Sequence, residues 1–161
     1  MKIIPYQESF KDSIVDLILN IQTKEFGVPV TIKDQPDLLQ ISSFYIVNKG
    51  NFWIAVNDDN EVVGTIALID FGNNQGALRK MFVKKEYRGK EYGAANALLT
   101  TLFDWCKQNT ISDVYLGTVE VLKASHRFYE KNGFQKINIS DLPTSFPRMP
   151  VDTIFYHFSF K

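Results

Sequence analysis

Residues 78–94, Leu-Arg-Lys-Met-Phe-Val-Lys-Lys-Glu-Tyr-Arg-Gly-Lys-Glu-Tyr-Gly-Ala, pass from an apolar strand through a short basic turn into the start of a helix. Such a junction constrains the fold around it, because the unpaired N–H groups and positive end of the helix must face an anion, water or a cap. Arg88, Gly89, Lys90 and Gly93 stand where the chain turns. Their backbone and two cationic side chains make an anion cradle suited to a phosphate group. Read alone, the same pattern also serves as a plain connector.

The flanking periodicities say what the cradle is set into. Phe10, Ile14, Leu17, Ile18 and Ile21 recur at helical spacing behind an opening strand over residues 2–5. Gly27, Pro29, Asp34, Pro36 and Asp37 mark residues 25–37 as a loop, and residues 38–44 fit a short second helix. Strand-like runs then cover residues 52–56, 61–69 and 77–83, joined by Asn57-Asp58-Asp59-Asn60 and Gly72-Asn73-Asn74-Gln75-Gly76. Three consecutive antiparallel strands are expected. After the cradle, Ala95, Leu98, Leu99, Leu102, Phe103 and Cys106 trace the apolar stripe of a helix ending near Gln108.

Residues 114–119 read as a nearly continuous apolar strand covered on both faces, which returns parallel after a helix by a right-handed crossover. A short helix over residues 123–131 ends at Asn132-Gly133, a C-cap signal. Strands follow at residues 134–139 and 151–160, with the loop 141–150 between them. In the last strand Ile154, Tyr156, Phe158 and Phe160 share one face, which suits either a core or the edge of a homodimer.

Bulk properties exclude several roles. At 161 residues and 45% apolar content, residues 1–161 are sized for a single domain. Lys plus Arg balances Asp plus Glu at 18 each, so there is no global attraction to nucleic acid or an anionic membrane. The lone Cys106 cannot form an internal disulfide and falls on an apolar helix stripe, the place of a buried, inert thiol in a reducing cytoplasm. The N-terminal residues turn polar too early for a secretory segment, and no apolar run approaches the ~20 residues that span a bilayer. A soluble, unprocessed chain is expected.

Two motifs sharpen the reading. The first is Leu78-x-x-Met81-Phe82-Val83 followed by Tyr87-Arg88-Gly89-Lys90-x-x-Gly93, and the second is Arg127-Phe128-Tyr129-Glu130-Lys131-Asn132-Gly133-Phe134. With the order of elements, they give the whole chain a resemblance to the GNAT superfamily of acetyl-CoA-dependent N-acetyltransferases. The resemblance implies the GNAT acyl-CoA N-acyltransferase fold, α/β of the α+β kind. Its central mixed, mostly antiparallel sheet would have about seven strands, flanked by about four helices and splayed between strands four and five. Two positions depart from the family pattern: Glu91 stands where the pyrophosphate motif, usually Arg/Gln-x-x-Gly-x-Gly/Ala, has its first glycine, and Leu122 stands where an asparagine is frequent.

The family's chemistry is direct acetyl transfer from acetyl-CoA to an uncharged amine, with no metal. Carried over residue by residue, backbone groups of Met81, Phe82 and Val83 would bind pantetheine and the thioester oxygen. Arg88, Gly89, Lys90, Glu91, Tyr92, Gly93 and Ala94 would hold the pyrophosphate. Ser125, Phe128 and Lys131 would complete the cofactor site. Tyr129 would protonate the departing sulfur, since a phenol with its ordinary pKa of ~10 is protonated at neutral pH. Glu120, just past a strand end, is the candidate general base, and a solvated loop acid is its plain reading; His126 shares the helix of Tyr129. Arg148 is placed to bind a substrate carboxylate, and Asp34 or Asp37 to attract a cationic amine. The acceptor would be the amine of a small molecule or peptide. A non-catalytic acyl-CoA sensor and a protein acetyltransferase are the alternatives.

Overall fold

Seven strands pair into one open sheet: β1 (Lys2–Pro5), β2 (Asn51–Val56), β3 (Val62–Gly72), β4 (Gln75–Val83), β5 (Asp113–Thr118), β6 (Gln135–Ile137) and β7 (Ile154–Ser159). Their spatial order in this computed structural model, which describes residues 1–160, is β1-β2-β3-β4-β5-β7-β6. All neighbours are antiparallel except β4 and β5. Four α-helices cover the faces: α1 (Lys11–Leu19), α2 (Ile41–Tyr45), α3 (Ala94–Gln108) and α4 (Lys123–Lys131).

Local chemistry sets these elements. The β3–β4 turn places Asn73 and Asn74 at φ of 55° and 59°, a conformation asparagine tolerates and a tight hairpin demands. In the β2–β3 turn the Asn57 side chain accepts from the Asp59 and Glu61 N–H groups at 3.0 and 2.9 Å. Helix α3 buries Ala94, Leu98, Leu99, Leu102 and Cys106 on the sheet, and each such leucine contributes about 1.5–3 kcal/mol relative to exposure. With α4 it forms one core. Helices α1 and α2 form the other, where Ile14, Ile18, Ile41 and Tyr45 meet Phe52 and Ile54. Burial raises the Cys106 thiol to about 12, so it is not a nucleophile.

Several expectations need correction. Strand β7 lies between β5 and β6, so its aromatic face cannot form an edge-to-edge dimer. Tyr156 packs in the α3–α4 core with Phe158 and Phe160 against it, and that face is core. Strand β6 is only three residues long, because the next residues form a helical turn capped by Asn138 and Asp141. Strand β5 alternates rather than being covered throughout: Tyr115 and Gly117 are half-buried. Past Leu19 the first helix loosens into a π turn over Asn20–Glu25.

The decisive irregularity lies in β4. Thr65 pairs with Phe82 and Ala67 with Arg79, so Ile66 alone opposes both Lys80 and Met81. This is a β-bulge, with Lys80 at φ 53°. Thr65 Oγ1 donates to the Lys80 carbonyl at 2.6 Å and holds the extra residue in place. Pairing of β4 with β5 stops at Ala77↔Tyr115, and from Leu78 onward the parallel strands diverge.

The Lys80 side chain runs into a buried polar cluster instead of solvent. Its Nζ lies 2.5 Å from Gln35 Oε1 and 3.7 Å from Asp37 Oδ2, while Tyr45 Oη donates to Asp37 at 2.5 Å. Gln22 and Gln35 exchange bonds of 3.1 and 2.8 Å. Desolvation lowers the Lys80 pKa to about 8, with Asp37 opposing the drop. Removing one hydroxyl from this cluster leaves a buried carboxylate short of a donor. Tyr45→Phe is therefore expected to cost about 1–3 kcal/mol in urea unfolding, an effect a surface Tyr→Phe change would not show.

Candidate active site

Where β4 and β5 part, two cavities meet back to back. One, of about 200 Å³, opens toward α3 and α4 and is lined by Phe26, Met81, Val83, Arg88, Ala95 and Phe128 among others. The other, of about 90 Å³, lies toward the early loop and the β7 approach, with Gln22, Arg79, Lys80, Thr118, Met149 and Asp152 on its walls. Phe82, Met81, Leu122, Ser125 and Tyr129 line both. Beside the splay the two cavities therefore adjoin, with Tyr129 on the wall they share.

Tyr129 stands at the junction. Its ring is 5% exposed and wedged edge-on against Phe134 at 5.4 Å, which fixes its direction. Among the described residues its hydroxyl has no hydrogen-bond partner. Burial, reinforced by the charges of Asp152 and Tyr156, raises its pKa well above the ordinary phenol value, so the proton stays on oxygen at any physiological pH.

Asp152 comes from the turn before β7. Its backbone is pinned by Asp152 N–H to the Met149 carbonyl at 3.1 Å, and the next residue, Thr153, donates to Thr118 of β5 at 3.0 Å. The carboxylate packs over Gly117, where an added Cβ would lie 2.5 Å from Oδ2. Desolvation raises its pKa above the usual carboxylate value, against the pull of Arg79, the Met149 backbone, Lys80 and Arg148. It is 8% exposed, at the wall of the smaller cavity. A buried carboxylate of raised proton affinity near a neutral phenol is an arrangement for moving protons.

The cradle between β4 and α3 takes the expected shape with a different use of its residues. Gly89 and Gly93 hold φ of 107° and 62°, and Gly93 caps α3 in the left-handed region. Glu91 is absent from the positive-φ residues and is exposed, so a side chain there imposes no backbone strain. Lys90 and Tyr92 are exposed too, with Tyr92 against Tyr87 at 4.9 Å, and Ala94 is buried at the helix start. Arg88 is not a free cation in this structure. Its guanidinium is bidentate on Glu25, its Nε donates to the Val83 carbonyl at 2.9 Å, and it lies over the Phe26 ring. Hydrogen bonding from Arg88 holds the Glu25 carboxyl below its usual range.

Other expected residues lie elsewhere. Glu120 is exposed and paired with Lys123 at 3.3 Å, outside both cavities. Lys131 is exposed at the end of α4. Arg148 turns its guanidinium over the Phe155 ring at 5.8 Å. The His126 ring meets the Val119 carbonyl at 2.9 Å and caps the strand end. Asp34 caps its own turn through Thr31, and Asp37 is buried with Tyr45 and Lys80. Sequence reasoning passed over Arg79, Lys80 and Asp152. The available signal was two adjacent cations inside an apolar strand, which alternation alone cannot accommodate.

The sequence profile described as the Acetyltransferase (GNAT) family matches residues 15–134. An acetyltransferase of the GNAT family from Staphylococcus aureus Mu50 superposes with a TM-score of 0.96 at 41% identity, over 99% of both chains. N-acetylaspartate synthetase of Danio rerio is 33% identical over 130 residues, 78% of this chain and 45% of that protein. The chain spans less than half the length of such curated relatives. N-acetylglutamate synthase from Neisseria gonorrhoeae, solved with coenzyme A and N-acetyl-glutamate, superposes at TM-score 0.77 and 16% identity, over 99% of this chain and 35% of that one, a likeness of fold.

The packing of Asp152 on Gly117 is open to direct test. A methyl at position 117 must displace the carboxylate, so Gly117→Ala is expected to lower turnover about 10-fold or more with little change in coenzyme A affinity, read by steady-state rates beside a calorimetric titration.

Proposed function

Because the chain belongs to the acetyltransferase (GNAT) family, we propose that it transfers the acetyl group of acetyl-CoA to the amine of a small molecule by direct attack. The observation that carries this reading is the pair of adjoining cavities that share Tyr129 on their walls, one for each substrate. The larger cavity fits the coenzyme. Its walls are apolar enough for a pantetheine arm, the free backbone edge of β4 from Met81 to Val83 offers hydrogen bonds, and Gly89 and Gly93 shape an anion site at the start of α3. Acetyl-CoA supplies an activated acetyl group as a thioester.

The chain's own residues do the rest. Asp152 accepts the proton that the attacking amine must lose, directly or through water, in place of the exposed Glu120. Tyr129 gives its proton to the sulfur as the carbon–sulfur bond breaks and the carbon–nitrogen bond forms. Arg88, released from Glu25, contributes charge to the pyrophosphate site with Lys90, and Ser125 and Phe128 border the coenzyme path. The smaller cavity favours a small acceptor over a protein tail, as does the aspartate acceptor in the name of one relative. The buried, unreactive Cys106 accords with the reducing cytoplasm as the site of action.

Thiol release from acetyl-CoA with a panel of amines tests the reading. Stabilisation by coenzyme A without thiol release from any amine would leave a binding protein and sink it. Tyr129→Phe is expected to lower kcat about 100-fold while the coenzyme A dissociation constant stays within about 3-fold. Because Asp152 has a raised pKa, kcat/KM should fall as pH drops through that raised value, above the usual carboxylate range. Asp152→Asn should lower the rate and remove that acid limb; an unchanged limb would assign the base elsewhere.

A further inference from the structure

The smaller cavity contains a cation that the fold leaves without a counter-ion. Lys80 is held by Gln35 and Asp37. Arg79, its neighbour, lines the same cavity half-buried, and its hydrogen-bond partner among the described residues is the thioether sulfur of Met149, 2.9 Å from Nη2. It has no ion pair among the described residues. Sulfur is a weak acceptor, whereas a guanidinium offers five donors in a planar fork that matches a carboxylate.

The bulge explains how this cation reaches the cavity. Along β4, Leu78 faces the α3–α4 core, and after the bulge Met81 and Val83 face it again while Phe82 packs with the α1–α2 core. Strict alternation would send Arg79 and Lys80 to opposite faces. The extra residue lets both reach the acceptor side. A half-buried guanidinium whose partner is a thioether keeps most of its five donors free to take an anion entering the cavity. Asp152 lies on the same wall, near enough for the Arg79 charge to lower its proton affinity, yet the two form no ion pair. Arg148 turns to Phe155 instead.

We propose that the acceptor carries a carboxylate beside its amine, and that Arg79 binds that carboxylate while Asp152 meets the amine. The cavity is then complementary to a small amino acid, with a fork for its anion and a carboxylate for its ammonium. This deepens the acetyl-transfer reading and rests on it.

Calorimetric binding in the presence of coenzyme A reads the carboxylate subsite without turnover. The probes are L-aspartate, L-glutamate and L-phenylalanine, each beside its fully amidated counterpart, with O-phosphoethanolamine as a separate anion. At least one acid should bind the wild type about 10- to 100-fold tighter than its amide, and Arg79→Gln should bring that ratio to within about 3-fold of one, with Arg79→Lys between. The wild-type comparison alone decides the matter if a variant does not fold. Amides bound as well as every acid, or a ratio untouched by Arg79→Gln, overturns the assignment; so does preference for the phosphate ester. Acids bound selectively with no thiol release would keep the carboxylate subsite and remove the acetyl-transfer reading, whereas thiol release without acid preference would do the reverse.

Discussion

Everything at the site depends on one residue of surplus backbone. With Lys80 inserted opposite Ile66 and its carbonyl held by Thr65, β4 leaves the parallel register with β5 after Ala77. The consequences are mechanical and chemical together. The backbone edge of Met81–Val83 has no strand neighbour on the β5 side, two consecutive cations reach one face, and Tyr129 borders two cavities. A left-handed non-glycine residue is strained, by about 1–3 kcal/mol in general, and persists only where its surroundings over-determine it. Here Gln35 and Asp37 bind the side chain of the strained residue, so the early loop, α2 and the bulge hold one another.

Much of this was legible in the sequence, for identifiable reasons. Hairpins announced by paired asparagines, the stripe of α3 and the C-cap after Lys131 are local signals, and the structure has each within a few residues. The placement of β7 was not legible, since nothing in alternating aromatics tells an interior strand from an edge. The turn before α3 was readable because its glycines and basic residues lie close together in the chain. The smaller cavity was not, because Gln22, Arg79 and Asp152 are far apart in sequence and meet only through the tertiary fold. Glu120 illustrates the difficulty: a strand end is a reasonable place for a base, and in the structure its carboxylate is exposed and paired with Lys123.

Electrostatics acts on Tyr129 and Asp152, the acid and base of the proposed reaction, by one means used twice. Burial stabilises the neutral form of both Tyr129 and Asp152. For the phenol this keeps the proton on oxygen, as the proposed role of an acid requires. For the carboxylate it raises basicity, and the cations Arg79, Lys80 and Arg148 keep that rise in check so that the charged form remains accessible. A modest change in the local cation count would disturb this balance without touching either residue.

The position of β7 also bears on how the molecule comes into being. Strand β5 has β4 on one side, but its other partner, β7, follows α4 and β6 in the chain, and β6 joins the sheet only through β7. Until residues 154–159 insert, the sheet has a gap one strand wide and Asp152 has no fixed place beside Thr118. Contacts so distant in sequence form late and slowly. Phe103 of α3 stacks on Phe158, and the same core takes in Ile154 and Tyr156, so the α3–α4 core and the wall that carries Asp152 are completed by one late event.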